Sequence, residues 1–386
     1  MKRLILLIGV FLFGIALLAQ EISHETIVVN IEVPVRVFKG NKFIDDLTID
    51  DFEVYEDGKP QKIEAVYLIK KANIEREDVK IDKEEAKKIF SPQLSRQFVL
   101  VFEIRDFFPK VEEAIWYFFE KVIIPGDKLI VATPTRTYNF KEDSWEVVSK
   151  TEIASQLIEK LRRDAFIRPL DWADLGDYTE DEDTFGGVTG TRETYMSQRY
   201  IDEKRLIAIS EYLKKLPGQK NVFLFFQQEL IEFPMPTPVS VISNIWAGLD
   251  YLNYMSMVAS YTTIDPKKIK KAFSDSSILF HFLYLKDESY FKDIGFEPSV
   301  SLLDMFDTTT GMFSTFKELS RVTGGITQVT TNAEASFKHA VDASENYYLL
   351  YYSPVGYKKS GEFKKITVKV KGQRYRVTHR SGYFAN

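Results

Sequence analysis

Apolar and polar positions change period three times along this chain. Residues Leu4–Leu18 form one apolar run after Lys2 and Arg3, and the run ends at Ala19 before Gln20 and Glu21. A charged start, an apolar middle and a small residue at a polar boundary describe a secretory signal peptide, with cleavage expected after Ala19. From Thr26 to Lys71 the alternation is strand-like, as in TIVVNIEVPVRVF and in FEVYE and QKIEAVYLI around Asp57-Gly58-Lys59-Pro60. Period two predicts strands, and the Asp-Gly turn predicts a hairpin. Ala72–Lys88 is rich in charge and reads as a linker or a short solvated helix.

The middle of the chain behaves differently. QFVLVFE from Gln97, NVFLFF at Asn221–Phe226 and SILFHFL at Ser277–Leu283 are apolar without alternation. Such runs predict strands covered on both faces, as in a parallel sheet. Between them Val111–Val122, Trp145–Arg163 and Tyr200–Leu216 have helical spacing, and Phe316–Val322 predicts a helix capped by Gly324-Gly325 before a strand at ITQVT. Pro238–Tyr261, with Trp246 at its centre, also has helical spacing. It reads as a helix packed on the core, with a docking surface as the functional alternative. The end returns to strands in ENYYLLYYS, EFKKITVKVKG and QRYRVTHR.

A few strands at either end cannot bury a sheet face alone. The expected organisation is a signal peptide at 1–19, N-terminal strands at 20–71, a charged linker at 72–94, an α/β domain at 95–344 and C-terminal strands at 345–386. The two sets of end strands are expected to complete one β-sandwich, with a doubly wound, mostly parallel sheet between them.

Two terminal motifs, LTIDDFEVYEDGKPQKI and YYLLYYSPVGYKKSGEFKKITVKVKGQRYRVTHRSGYFA, together with the apolar strands between them, resemble the von Willebrand factor A (vWA)-related family of the acidobacterial type. The resemblance spans nearly the whole chain after the signal peptide. It implies a vWA-like α/β domain inserted in or flanked by an Ig-like sandwich. It also implies a metal-ion-dependent adhesion site made from an Asp-x-Ser-x-Ser loop, a Thr and a later Asp. Those positions fall here on Glu103, Arg105, Phe107, Thr189 (or Thr191) and Gln227. A hard divalent cation wants oxygen ligands, so this loop reads as degenerate and no cofactor is expected. The rival site is a rearranged Mg²⁺ or Ca²⁺ centre of Glu103, Asp106 and Glu229.

Composition narrows the function classes. The 386 residues are 45% hydrophobic with a formal net charge of −5, so a folded core is expected and a general attraction to nucleic acid is not. There is no cysteine, which removes disulfides and thiolate chemistry. Asp171–Asp183 holds seven acids and no base. It reads as a solvated loop whose Asp177, Asp181 and Asp183, with Asp106 and Trp246, are candidates for binding a partner. His24, His281, His339 and His379 show no paired metal spacing, and His281 inside an apolar strand reads as a satisfied core residue. No nucleophile elbow or nucleotide fingerprint is present, so no enzyme activity is expected. The expected function is an exported protein-interaction module, periplasmic or secreted, with another protein as partner and no stable membrane insertion after signal cleavage. The alternatives are metal-dependent adhesion and an envelope hydrolase using the acidic rim.

Overall fold

The computed structural model describes residues 29–40, 42–80, 90–104, 107–134, 136–141, 143–165, 203–227, 230–234, 264–274, 278–286, 303–307, 310–372 and 374–385. Of the strands Leu230–Pro234 and Leu303–Asp307 the backbone alone is described. The protein is mixed α/β, with antiparallel sheets from the chain ends and a largely parallel sheet from its middle.

The N-terminal part gives β1 (Ile31–Lys39), β2 (Lys42–Phe43), β3 (Phe52–Glu56), β4 (Lys59–Gln61), β5 (Ile63–Lys70) and β6 (Asn73–Val79). The middle gives β7 (Arg96–Glu103), β8 (Lys128–Ala132), β9 (Thr137–Phe140), β10 (Gln219–Gln227), β11 (Leu230–Pro234), β12 (Ile278–Leu285), β13 (Leu303–Asp307) and β14 (Thr327–Thr330). The end gives β15 (Asn346–Tyr352), β16 (Phe363–Val370), β17 (Arg376–His379) and β18 (Gly382–Phe384). The helices are α1 (Pro109–Tyr117), α2 (Ser144–Val147), α3 (Lys150–Ala165), α4 (Glu203–Lys214), α5 (Pro266–Ser274), α6 (Thr310–Thr323) and α7 (Ala333–Glu345).

One antiparallel sheet has the order β17-β1-β15-β5-β6, with β2 also on β1, and a second runs β18-β16-β3-β4. Strands from both chain ends therefore alternate within each sheet: β15 lies between β1 and β5, and β16 pairs with β3. The two sheets share an apolar core of Val33, Val35, Phe52, Val54, Leu68, Tyr348, Leu350, Tyr352, Ile366 and Val368. The opposite face of β15 carries Tyr347, Leu349 and Tyr351, which pack with Tyr67, Ile69 and Phe90. Covering on both faces explains why NYYLLYY shows no alternation. The tyrosine hydroxyls reach polar partners at its margins: Tyr352 donates to Glu56 at 2.8 Å and Tyr351 to Glu32 at 3.1 Å.

The charged segment after Lys71 corrects the linker reading. Asn73–Val79 is strand β6, paired antiparallel with β5 at the sheet edge. Its charges suit an edge, where they discourage pairing with another chain. Arg76 donates to the carbonyls of Asp45 and Leu47 and so ties this edge to the preceding loop. Trp145–Arg163 is two helices, α2 and α3, rather than one, and the helix expected at Val111–Val122 ends as a π-helical turn over Phe118–Val122.

The third sheet has the order β14-β12-β10-β7-β8-β9. The first five strands are mutually parallel, and β9 runs antiparallel to β8. One face packs Leu100, Phe102, Phe223 and Phe225 on Val111, Phe118, Leu157 and Phe337, from the α1, α3 and α7 side. The other face packs Val99, Val222, Phe226 and Phe280 on Leu206, Ile269, Phe273 and Phe316, from α4, α5 and α6. The uninterrupted apolar runs follow from this double covering.

Arg96 joins the parallel sheet to the start of β15. Its guanidinium grips Asp127 at 3.0 and 2.6 Å, donates to the Val122 carbonyl at 2.8 Å and meets Glu345 at 3.4 Å. Arg96 and Asp127 are both buried, so the paired, bidentate geometry is what makes two charges tolerable there.

Candidate functional site

Strand order locates the site. From β7 the chain moves to β8 on one side, then returns to β10 on the other. In open α/β sheets ligands bind beyond the carboxyl ends of the strands where the order reverses. Here the order reverses between β7 and β10. Glu103 is the last residue of β7 and aligns with Phe226, so Gln227 follows directly beside it. Both side chains are buried, at 8% and 5% exposure. Ile104 is also buried, and Phe107 is half-buried on the layer beneath, with the Arg162 guanidinium 5.5 Å above its ring.

Of the residues expected at a metal loop, Glu103 and Gln227 thus end neighbouring strands at the rim, and Phe107 is partly buried against the core cluster beneath the sheet. Arg105, Asp106, Thr189, Thr191 and Glu229 lie outside the described residues, as do the partner candidates Asp177, Asp181, Asp183 and Trp246. Where the family resemblance implies a charged ligand, Gln227 offers a neutral amide, a weaker ligand for a hard divalent cation. Among the described residues no group of three or more His, Cys, Asp and Glu is placed to hold a metal ion, and no helix is long and apolar enough to cross a membrane.

A second polar cluster on the same rim did not emerge from sequence reasoning. Asp164, near the end of α3, is 7% exposed. It accepts from the Tyr138 hydroxyl at 2.7 Å and the Thr133 hydroxyl at 3.2 Å, and Arg136 lies 3.7 Å away. Burial, then the bond to Asp164, pushes the Tyr138 hydroxyl above its ordinary pKa. Arg205, in the first turn of α4, donates to the carbonyls of Thr133, Pro134 and Arg136 and to the Thr137 hydroxyl at 2.7 Å. These bonds hold the β8–β9 turn against α3 and α4. The signal for Asp164 was its place in an apolar stripe: it continues Ile153, Leu157 and Leu161 on the buried face of α3. A carboxylate there demands donors.

The same bonds place the end of α3 and the start of α4 at this rim, so the described residues flanking 166–202 both lie there. Glu203 also accepts from the Asp265 backbone N–H at 2.8 Å and pairs with Lys268 at 3.1 Å, which brings the start of α5 to the same edge. The rim is a meeting point of α3, α4 and α5 beside the ends of β7 and β10, which carry Glu103 and Gln227.

No protein-family model, no curated protein and no solved structure matches this chain.

Proposed function

We propose that this protein is an exported interaction module in which a vWA-like, doubly wound α/β unit binds another protein without the cation such units ordinarily use. An Ig-like sandwich built from both chain ends carries that unit. The observation supporting this reading is that Glu103 and Gln227, both buried, end the neighbouring strands β7 and β10 where the strand order reverses. Such a reversal is where an open α/β sheet binds its ligand, and these residues suit hydrogen bonding better than hard-cation ligation. The apolar run at Leu4–Leu18 supports export.

Calorimetric titration of EDTA-stripped protein with Mg²⁺, Mn²⁺ and Ca²⁺ tests the metal-free part of the proposal. The expected result is no stoichiometric heat with any ion. Heat at one ion per chain that disappears in Glu103→Ala replaces this reading with metal-dependent adhesion.

A further inference from the structure

Strand β15 ends at Tyr352, which pairs with Ile31 at the start of β1 and with Ile63 at the start of β5. These three strand ends therefore share one end of the antiparallel layers. The β3–β4 turn and the start of β16 join them there. The Asp57 N–H donates to the Lys365 carbonyl at 2.9 Å, and the Lys365 N–H donates to the Asp57 carboxylate at 2.9 Å. Tyr352 and Tyr383 both donate to Glu56, at 2.8 and 3.0 Å, and so close the two sheets on each other. The loop from β15 to β16, residues 354–361, crosses this end and is tied down where the Gly361 N–H donates to the Ala385 carbonyl at 2.8 Å. Within that loop Val355 is 94% exposed, more than any other large apolar side chain among the described residues.

The charge at this end is opposite to that of the whole chain. From Pro354 to Ala385 there are six lysines, three arginines and one acid, Glu362, so the net charge of −5 is made elsewhere. Lys59, Lys62, Lys358, Lys359 and Lys365 are exposed here, and none meets a carboxylate within ion-pair distance among the described residues. Helix α5 adds Lys271, also exposed, whose ammonium lies 5.6 Å from the centre of the Phe384 ring on β18. The nearby acids are already engaged. Asp57 and Glu362 both meet Lys364, at 3.6 and 3.2 Å. Glu56 holds the two tyrosine hydroxyls, and Glu64 accepts from the Ser353 hydroxyl at 2.8 Å. An exposed valine is thus ringed by lysines that have no partner in the fold.

We propose that this end docks on the surface of an anionic phospholipid bilayer, with Val355 entering the headgroup layer and the surrounding lysines meeting lipid phosphates. The surface lies on the antiparallel layers, apart from the rim, so it goes beyond the protein interaction proposed there. An apolar tip among lysines favours a bilayer over a soluble polyanion, which would match the charge and leave the valine in water. The course of the chain points the same way. Val29 lies at this end, since the Ser353 hydroxyl donates to the Asn30 side chain at 3.0 Å. The apolar run Leu4–Leu18 stops eleven residues before Val29. That length spans at most about 40 Å, so a chain leaving the membrane through the run presents this end to the bilayer. Attachment of this kind is reversible and weakened by salt, and each lysine near an anionic surface is worth about fivefold in partition.

Vesicle co-sedimentation tests the proposal on the chain from Gln20, the form that cleavage after Ala19 leaves. Vesicles of phosphatidylcholine alone are compared with vesicles of phosphatidylcholine mixed with phosphatidylglycerol. The expected result is binding to the mixed vesicles alone, lost in high salt. Lys358→Gln/Lys359→Gln is expected to lower the partition about 20-fold, and Val355→Ser several-fold. Lys121→Gln/Lys215→Gln removes the same charge from exposed positions on the parallel-sheet unit and is expected to leave the partition unchanged. Equal binding to both vesicle types overturns the proposal, as does equal loss in the two double variants or wild-type binding by Val355→Ser. Retention on polyphosphate without binding to vesicles assigns the lysines to a soluble polyanion and overturns it too.

Discussion

His281 stands in the middle of β12 with 1% of its surface exposed and its ring stacked on Phe223 at 4.7 Å. The apolar run around it made a core histidine legible in the sequence. Its bonding is leaner than that reading implied: Nδ1 accepts from the Ile326 N–H at 3.4 Å, and Nε2 has no hydrogen-bond partner. Burial, then the nearby charge of Arg36, holds its pKa well below the usual histidine value. His379 is lowered too, chiefly by burial, and its Nε2 accepts from the Val368 N–H at 3.2 Å, a bond that requires the neutral ring. Both rings stay neutral in the folded state where the unfolded chain takes up protons. Stability is therefore full above the unfolded value of about 6.5 and is lost progressively as pH falls from there toward the folded-state values. His281→Gln keeps an acceptor for Ile326 and removes the titration. Denaturant unfolding between pH 5 and 6.5 is expected to show its slope reduced by up to one proton, about 1.4 kcal/mol per pH unit. An unchanged slope assigns the pH dependence to other groups. The rim shows the limit of reading residues singly: Glu103 and Gln227 were singled out because the family resemblance places its metal-site positions on them, whereas Asp164 depends on Tyr138 and Thr133, which are distant in sequence.

Among the elements, the apolar runs of β7, β10 and β12 were readable because burial on both faces removes alternation. The β5–β6 hairpin was not. Its turn, Lys71-Ala72, has φ of +45° and +63° at the two residues, a conformation that usually calls for Asn or Gly. With no glycine at the turn and charge at most positions of Asn73–Val79, composition pointed to solvent; the pairing of β6 with β5 overrides it. The glycine pair after α6 gave the opposite result, since a helix end was expected there and α6 stops at Thr323. Gly324 has φ of +80°, and Gly325 carries the tighter constraint. A Cβ on Gly325 meets the Phe280 carbonyl oxygen at 1.9 Å and its carbon at 2.6 Å, both backbone atoms of β12. No side-chain rotation relieves that contact, so β12 and α6 must separate. Gly325→Ala is expected to cost about 3 kcal/mol, in the range of overpacked cores. Gly356→Ala serves as the control, because Gly356 has φ of +73° and open space around it. There the backbone conformation alone is charged, about 1–2 kcal/mol. Urea unfolding of the two variants separates the effects, and equal losses would show that the approach to Phe280 is not limiting.

At the scale of the whole molecule, β15 carries the connection between the chain ends. It pairs with β1 over Ile31–Val35 and with β5 over Ile63–Lys70, across more than 270 residues of intervening chain in each case. The strand-like ends and the apolar middle were separable by period alone. The pairing of those ends was inferred from insufficiency, because so few strands cannot cover a sheet face. The partners within it, β15 between β1 and β5 and β16 beside β3, depend on which tyrosines face which core, and a single sequence does not rank those registers. Tyr348, Leu350 and Tyr352 fill the core shared by the two antiparallel sheets, and Tyr347, Leu349 and Tyr351 fill the opposite face. A chain stopped after Glu345 thus leaves β1 and β5 without their common neighbour and strips both faces of that sheet at once. Limited proteolysis of this truncated chain is expected to degrade residues 29–79 rapidly, while the same residues in the full chain resist cleavage. Protection of 29–79 in the truncated chain would mean that β1–β6 bury their apolar faces without β15. The folding of the N-terminal strands would then be independent of the C-terminal ones.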